Sequence, residues 1–337
     1  MDADGNLRPT MTDVAAAAGV SLKTVSRVVN GEPGVTPATA ARVRAAIELL
    51  GFRRNDVARA LRRGQRFRML GLVIEDVANP FYSAIARGAE EVTRERGLLL
   101  ITGSSDEDPE RERELARLFC ERRVDGLLIV PAGDDHRYLL PEVRLGMHAV
   151  FIDRPPGNIE SDVVLLDNVG GARAAAEHLL GRGHRRIAMV VDHMSIYTQR
   201  ERWRGFCDAL AAAGEPLDDA LVRFGAHDAA TAEQATAELL SLMRPPTALF
   251  AANNRIATGV LRALAAHGAD LEVVGFDDLE LAELLARPLT TVSYDPADLG
   301  RTAAGLLVER LEGDGRPAQR VILPTTLVVR GPEPVAA

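Results

Sequence analysis

The side chains with chemistry to offer fall into two groups. The first closes strand-like runs: Asp153 follows HAVFI, Asn253 and Asn254 follow TALFA, and Asp277 follows VVGF. A carboxylate accepts hydrogen bonds from two hydroxyls, and an amide both donates and accepts, so this set suits a small polyhydroxylated ligand. Ligands of open α/β sheets sit beyond the carboxyl ends of the strands, where all four residues fall. Asp277 has a competing structural role, because an Asp-Asp pair after a strand also caps turns. The second group lies in SLKTVSR, where a short helix exposes Leu22, Lys23, Thr24, Ser26 and Arg27. Arg27 suits a two-pronged contact with guanine, and Lys23 can donate to guanine acceptors. Lys23 is also the only lysine in the chain.

The patterns of enzyme chemistry are missing. No G-x-G-x-x-G follows the first strand-like run, and there is neither a G-x-x-x-x-G-K-[ST] loop nor a G-x-S-x-G elbow. His178, His184 and His193 have no acidic partners at metal-ligand spacing, and Cys120 and Cys207 lie far apart. No catalytic residue, metal ion or cofactor is expected, and reduced cysteines fit a cytoplasmic protein.

Three helices must position the basic group. Thr10 and Asp13 open the first, whose apolar face is Val14, Ala15 and Ala18, and Gly19 ends it. Ser21 caps the second, with Val25, Val28 and Val29 at helical spacing. Thr36-Pro37 opens a third, carrying Val43, Ile47 and Leu50 up to Gly51. Two short helices joined by a glycine turn make a helix-turn-helix, whose second helix enters the major groove. Asn55 can cap one more short helix, with Val57, Ala58 and Leu61, ending at Gly64.

Beyond residue 68 the pattern changes. Apolar runs at 69–74, 98–102, 126–130, 148–152, 187–191, 247–251 and 272–275 alternate with helical stretches at 80–96, 108–122, 169–182, 201–213, 231–243, 254–267 and 296–312. Continuous apolar strands separated by helices predict doubly wound α/β units with parallel sheets. Roughly 260 residues is generous for one such sheet, so two subdomains are expected. The 337 residues are 47% hydrophobic and 26% charged, a globular composition. Charge divides along the same line. Residues 1–68 hold 12 basic and 6 acidic side chains and the remainder 28 and 42, so a head of net +6 joins a body of net −14. Such asymmetry suggests that the head alone meets a polyanion. No apolar run approaches the ~18–20 residues of a membrane span, and the polar first ten residues are unlike a secretory signal.

Taken together, TDVAAAAGVSLKTVSRVVNG and the later segments NPFYSAIARGAEE, DEDPERERE, RRVDGLLI, FIDRPP, DNVGGARAAAEHLLGRGHRRIA, VVGFDD, PLTTVSYD and ILPTTLVVR resemble the lactose-repressor (LacI/GalR) family of bacterial transcription regulators. The resemblance covers nearly the whole chain. It implies an N-terminal three-helix helix-turn-helix head (1–53), a hinge helix and linker (54–68), and a periplasmic-binding-protein-like core (69–337). The core would hold two Rossmann-like subdomains, 69–166 with 293–323 and 167–292 with 324–337. Crossovers would fall near 166–168, 292–294 and 322–325.

Residue roles follow from the same resemblance. Leu22 and Lys23 take the two variable specificity positions of the reading helix, and Thr10, Ser21, Thr24, Ser26, Arg27 and Asn30 complete its DNA-contacting set. Asn55, Ala58 and Leu61 match the hinge, with Leu61 as the leucine wedged into the minor groove. Arg54 departs from the proline common before that asparagine. In the cleft the resemblance implies Arg202, Phe81, Tyr294, Asp153, Asn253 and Asp277, with His227 roughly at an aromatic position; Asn254 stands where aspartate is usual. The implied function is a cytoplasmic repressor, reading a palindromic operator on double-stranded DNA and controlled by a small metabolite such as a sugar. The C-terminal residues carry no heptad repeat, so a homodimer rather than a coiled-coil tetramer is expected. A transporter's solute-binding protein would share the body without the head, and an α/β enzyme would need a nucleophile, metal or phosphate loop.

Overall fold

The computed structural model describes residues 9–52, 69–280, 282–285 and 288–330. Its contacts divide the chain into two units, with the boundary after residue 67.

The first unit has three helices, α1 (Met11–Ala18), α2 (Leu22–Asn30) and α3 (Pro37–Leu50). Each begins at its expected cap. Thr10 forms a reciprocal capping box with Asp13, Ser21 accepts from the Thr24 amide, and Thr36 precedes Pro37 and accepts from the Thr39 amide. Between α1 and α2 Gly19 stands at φ +62°, where a side chain would strain the turn. The Arg42 guanidinium seals this turn from α3, donating to the carbonyls of Ala18 and Gly19. The core is small: Val14, Val25 and Val43 are fully buried, with Ala15, Ala18 and Ala46 letting the helices approach. Each buried valine contributes roughly 1.5–3 kcal/mol.

The second unit has two lobes. The first holds β1 (Met69–Ile74), α4 (Pro80–Glu95), β2 (Leu99–Ser104), α5 (Pro109–Glu121), β3 (Gly126–Ile129), the short α6 (Leu140–Arg144), β4 (His148–Ile152) and β5 (Asp162–Leu166). The chain then enters the second lobe: α7 (Asn168–Gly181), β6 (Ile187–Val190), α8 (Tyr197–Ala212), β7 (Val222–Arg223), α9 (Ala229–Leu240), β8 (Ala248–Ala251), α10 (Asn254–His267), β9 (Glu272–Phe276) and β10 (Thr290–Ser293). It returns through α11 (Pro296–Leu311) and β11 (Arg320–Leu323), and crosses again to β12 (Thr326–Val328). The sheets run β11-β5-β4-β3-β1-β2 and β12-β10-β9-β8-β6-β7. All pairings are parallel except β10 with β12. The passages between sheets fall after Leu166, Ser293 and Leu323.

In each lobe the sheet is covered on both faces, which explains its unbroken apolar strands. In the first lobe α4 and α11 touch backbone to backbone. A methyl group on Gly88 would lie 2.0 Å from the Ala297 carbonyl oxygen, and one on Gly300 2.0 Å from that of Ile85.

Five strands, β5, β7, β10, β11 and β12, and the short α6 lie outside the stretches expected from the sequence, and α8 begins earlier than expected. β5 was not among the apolar runs, because its VVLL is short and stands between Asp162 and Asp167. α8 starts at Tyr197, four residues before the expected 201. Its first turn, YTQR, is polar, yet Thr198 and Gln199 are buried, and Gln199 accepts from the Asp192 amide. A hydrophobic period cannot register a helix face buried in that way.

Candidate DNA-reading helix and interlobe cleft

On α2, Leu22 and Lys23 are exposed and Thr24, Ser26 and Arg27 half-buried, while Val25 faces the core. Ser21 and Thr10 are exposed but spend their hydroxyls on capping. Asn30 donates its amide to Ser26 and Glu32 at the carboxyl end of α2. The Arg27 guanidinium extends past Gly34. Leu22, Lys23 and Arg27 thus share the solvent side of a helix held by a rigid core, the arrangement needed to present side chains to base edges. Asn55, Ala58 and Leu61, together with Arg54, lie outside the described residues.

Between the lobes lies a polar cavity of about 40 Å³. Of the expected cleft residues, Phe81, Asp153, Arg202, His227, Asn253 and Asp277 line it. Tyr294 stands one layer back: its hydroxyl donates to Asp277 and its ring meets Phe81 and Phe276 edge-on or tilted. Asp153 and Asp277 close β4 and β9 at φ +68° and +72°. Left-handed backbone on a non-glycine residue costs about 1–3 kcal/mol and gathers at functional positions. Both aspartates are buried, and burial pushes the Asp153 carboxyl above its ordinary range.

Arg202 is less free than the sequence suggested. It stacks 3.7 Å above the Phe276 ring and donates to Asn168 and to the Ala252 carbonyl. Its remaining nitrogen lies 3.6 Å from Asp277, so the guanidinium orients that carboxylate and offers one edge to the cavity. Asn253 caps α10 through its side-chain oxygen, and its amide nitrogen can donate to other partners. His227 bonds Asp192 at 3.1 Å, and this carboxylate raises the imidazole pKa.

Sequence reasoning missed several cleft residues. Arg154 pairs bidentately with Glu107 and donates to the Pro131 carbonyl. Glu75 accepts from the Tyr82 hydroxyl at 2.7 Å and from Arg255 at 2.8 Å. Burial and the nearby Glu107 charge push the Glu75 carboxyl up to about 7. Arg255 also holds Asp76, and Asn254 donates to Asn79, so the two lobes are tied directly across the cleft. The rule that found Asp153 would have found Glu75 and Asp76, which follow the carboxyl end of β1. Two buried polar atoms, Asp153 Oδ1 and Arg154 Nε, have no hydrogen-bond partner among the described residues. Such atoms cost about 1–3 kcal/mol each, a cost that a polar ligand would relieve.

Among the described residues no group of histidines, cysteines and carboxylates could hold a metal ion, and no helix is long and apolar enough to cross a membrane.

Comparison with known proteins agrees with both halves of the molecule. Residues 10–55 match the model of the bacterial regulatory proteins of the lacI family, and residues 176–331 match a periplasmic binding protein-like domain. The HTH-type transcriptional regulator CelR of Thermobifida fusca is 37% identical over 96% of this chain and 98% of its own. A solved complex of a transcriptional regulator CelR with cellobiose is 34% identical, with a TM-score of 0.72 over 96% of this chain and 99% of that one. The lac repressor dimer bound to operator and the anti-inducer ONPF is 28% identical, with a TM-score of 0.80 over 96% of this chain and 98% of that one. The relatives are regulators rather than enzymes, and a helix-turn-helix head joined to a two-lobed periplasmic-binding-protein-like core gives the same answer: the chain belongs to the LacI family of DNA-binding transcriptional regulators.

Proposed function

We propose that the protein is a repressor that binds a palindromic operator as a homodimer, and that a sugar held between the lobes controls this binding. The observation that carries the ligand half is the cleft itself. Two buried carboxylates on left-handed backbone, Asp153 and Asp277, line one cavity beside Asp153 Oδ1 and Arg154 Nε, which make no hydrogen bond among the described residues. Paired carboxylates and amides at strand ends suit vicinal hydroxyls, and Phe81 adds an apolar ring face. The cellobiose complex and the operator complex of the two structural relatives support both halves.

On the DNA, Leu22, Lys23 and Arg27 read base edges, assisted by Thr24, Ser26 and Asn30, while Thr10 and Ser21 fix the helix ends against phosphates. Asn55, Ala58 and Leu61 form the hinge contact. A working division is 1–53 for the head, 54–68 for the hinge and 69–337 for the core. Sugar and operator are linked through the angle between the lobes, a coupling of typically ~1–3 kcal/mol that acts equally in both directions.

The test is thermal unfolding of the full chain against sugars, sugar phosphates, nucleosides and purines, followed by operator titration with each hit. A ligand at 100 times its Kd stabilises its domain by about 2.7 kcal/mol. The expected result is a sugar hit that also changes operator affinity. Hits confined to purines or phosphates would overturn the sugar assignment.

A further inference from the structure

The interlobe cavity, at about 40 Å³, is too small for a sugar ring, since pockets for small ligands measure roughly 300–1,000 Å³. Glu75 and Asn79 of the first lobe and Asn254 and Arg255 of the second line this cavity and are bonded to one another across it. A ring fits beside Asp153 and Asp277 only when the lobes have moved apart, and that motion breaks these bonds.

The bonds join groups already held in place. Arg255, in the first turn of α10, forks two carboxylates just beyond β1, reaching Glu75 at 2.8 Å and Asp76 at 2.6 Å. Within the first lobe Glu75 is fixed by the Tyr82 hydroxyl, and Asp76 accepts from the Ala78 amide at 2.8 Å. The three side chains of the fork are 26%, 11% and 32% exposed, so it is better shielded than an ordinary surface pair. Beside the fork, Asn254 donates its amide to the Asn79 side-chain oxygen at 2.8 Å. That oxygen also caps α4 by accepting from the Phe81 amide, so residue 254 must bring a donor to it. A further tie stands at the start of α8. Tyr197 packs against an apolar cluster of the first lobe, and its hydroxyl accepts from Arg320 of β11 at 3.0 Å. Groups fixed beforehand lose little freedom on pairing, which favours the closed arrangement.

We propose that the Arg255 fork and the Asn254–Asn79 pair form a latch that holds the lobes shut without effector, so that effector binding requires the latch to break. The identity of the ligand rests on the sugar reading given above; the latch itself does not. A protein whose binding-competent state is sparsely populated binds with an affinity reduced by that fraction. Weakening the latch therefore tightens sugar binding, the reverse of what the loss of a ligand contact would do.

Two near-isosteric variants of the full chain test this, singly and combined. Asp76→Asn weakens one prong of the fork at a residue outside the cavity lining, and Asn254→Asp sets an acceptor against the Asn79 oxygen. Hydrogen exchange read by mass spectrometry, without sugar, follows peptides spanning 75–83 and 251–258, with 126–129 as an internal reference. Titration calorimetry follows glucose, galactose and cellobiose.

In the double variant, exchange in the first two spans is expected to rise at least ~10-fold, equivalent to about 1.4 kcal/mol of closure, with the reference span unchanged. A sugar that binds the wild type should bind the double variant at least ~10-fold more tightly. Unchanged exchange overturns the latch. Faster exchange with equal or weaker sugar affinity overturns its hold on effector binding. If none of the three sugars binds either protein, the sugar reading falls and exchange alone decides the latch. If the double variant fails to fold, the Asp76→Asn result decides.

Discussion

Asp153→Asn should make the ligand-free protein more stable while abolishing its response to sugar. Asp153 is 2% exposed, one of its oxygens lacks a partner, and burial raises its pKa, so the charged form is disfavoured in the folded chain. Its neighbour Arg154, 3.7 Å away, keeps its bidentate partner Glu107 when the charge is removed. Asparagine tolerates left-handed backbone as well as aspartate, so the strain at φ +68° is unchanged. An unpartnered buried polar atom costs about 1–3 kcal/mol, more when charged; removing the charge alone should recover about 1 kcal/mol. For a core of this size that is a rise of about 2 °C in melting temperature. The sugar loses two hydrogen bonds to a charged acceptor, each worth about 1.5–3 kcal/mol. Affinity should therefore fall at least ~100-fold, since each 1.4 kcal/mol is tenfold. Differential scanning calorimetry with and without the sugar reads both numbers. A melting temperature that drops by several degrees would show that the carboxylate is a structural partner of Arg154, and an undiminished sugar shift would remove Asp153 from the ligand site.

Other expectations follow from the same geometry. Arg27→Ala should cost roughly 1–3 kcal/mol of specific operator affinity, and unchanged fluorescence anisotropy titrations would refute the assignment of α2. Glu75 titrates at about 7 when folded against an ordinary 4.5, so its share of stability is full below about 4.5 and is lost as pH rises to about 7. Glu75→Gln should flatten the stability profile in that window, as measured by urea unfolding at successive pH values, and an unaltered slope would count against it. Gly157→Ala should cost about 1–3 kcal/mol because its methyl would press on the Asp134 carbonyl, and an unchanged melting temperature would mean that the loop has room to move.

The head was almost wholly legible in the sequence. Thr10, Ser21 and Thr36 announce helix starts, Gly19 and Gly51 announce ends, and the valines between them recur at a helical period. These are local signals, and local physics decides a three-helix unit. In the core the central strands were equally plain, since burial on both faces demands continuous apolar sequence. The cleft was legible only in part. The strand-end rule reached Asp153, Asn253 and Asp277 because each follows a strong strand within two residues. Tyr294 came from resemblance and proves to buttress Asp277. The cluster of Glu112, His136 and Gly157 escaped notice, because these residues meet only through the tertiary fold and show no common spacing.

Lys23 stands exposed near the start of α2 as the sole lysine among the chain's 40 basic side chains. Reagents selective for side-chain amines therefore have one address on this protein, and it is the face expected to meet DNA. Attachment to an amine-reactive sensor surface through that side chain would tether the molecule by its reading helix and mask operator binding, leaving sugar binding measurable. A small dye attached there would instead report occupancy of the groove directly, without a cysteine having to be introduced.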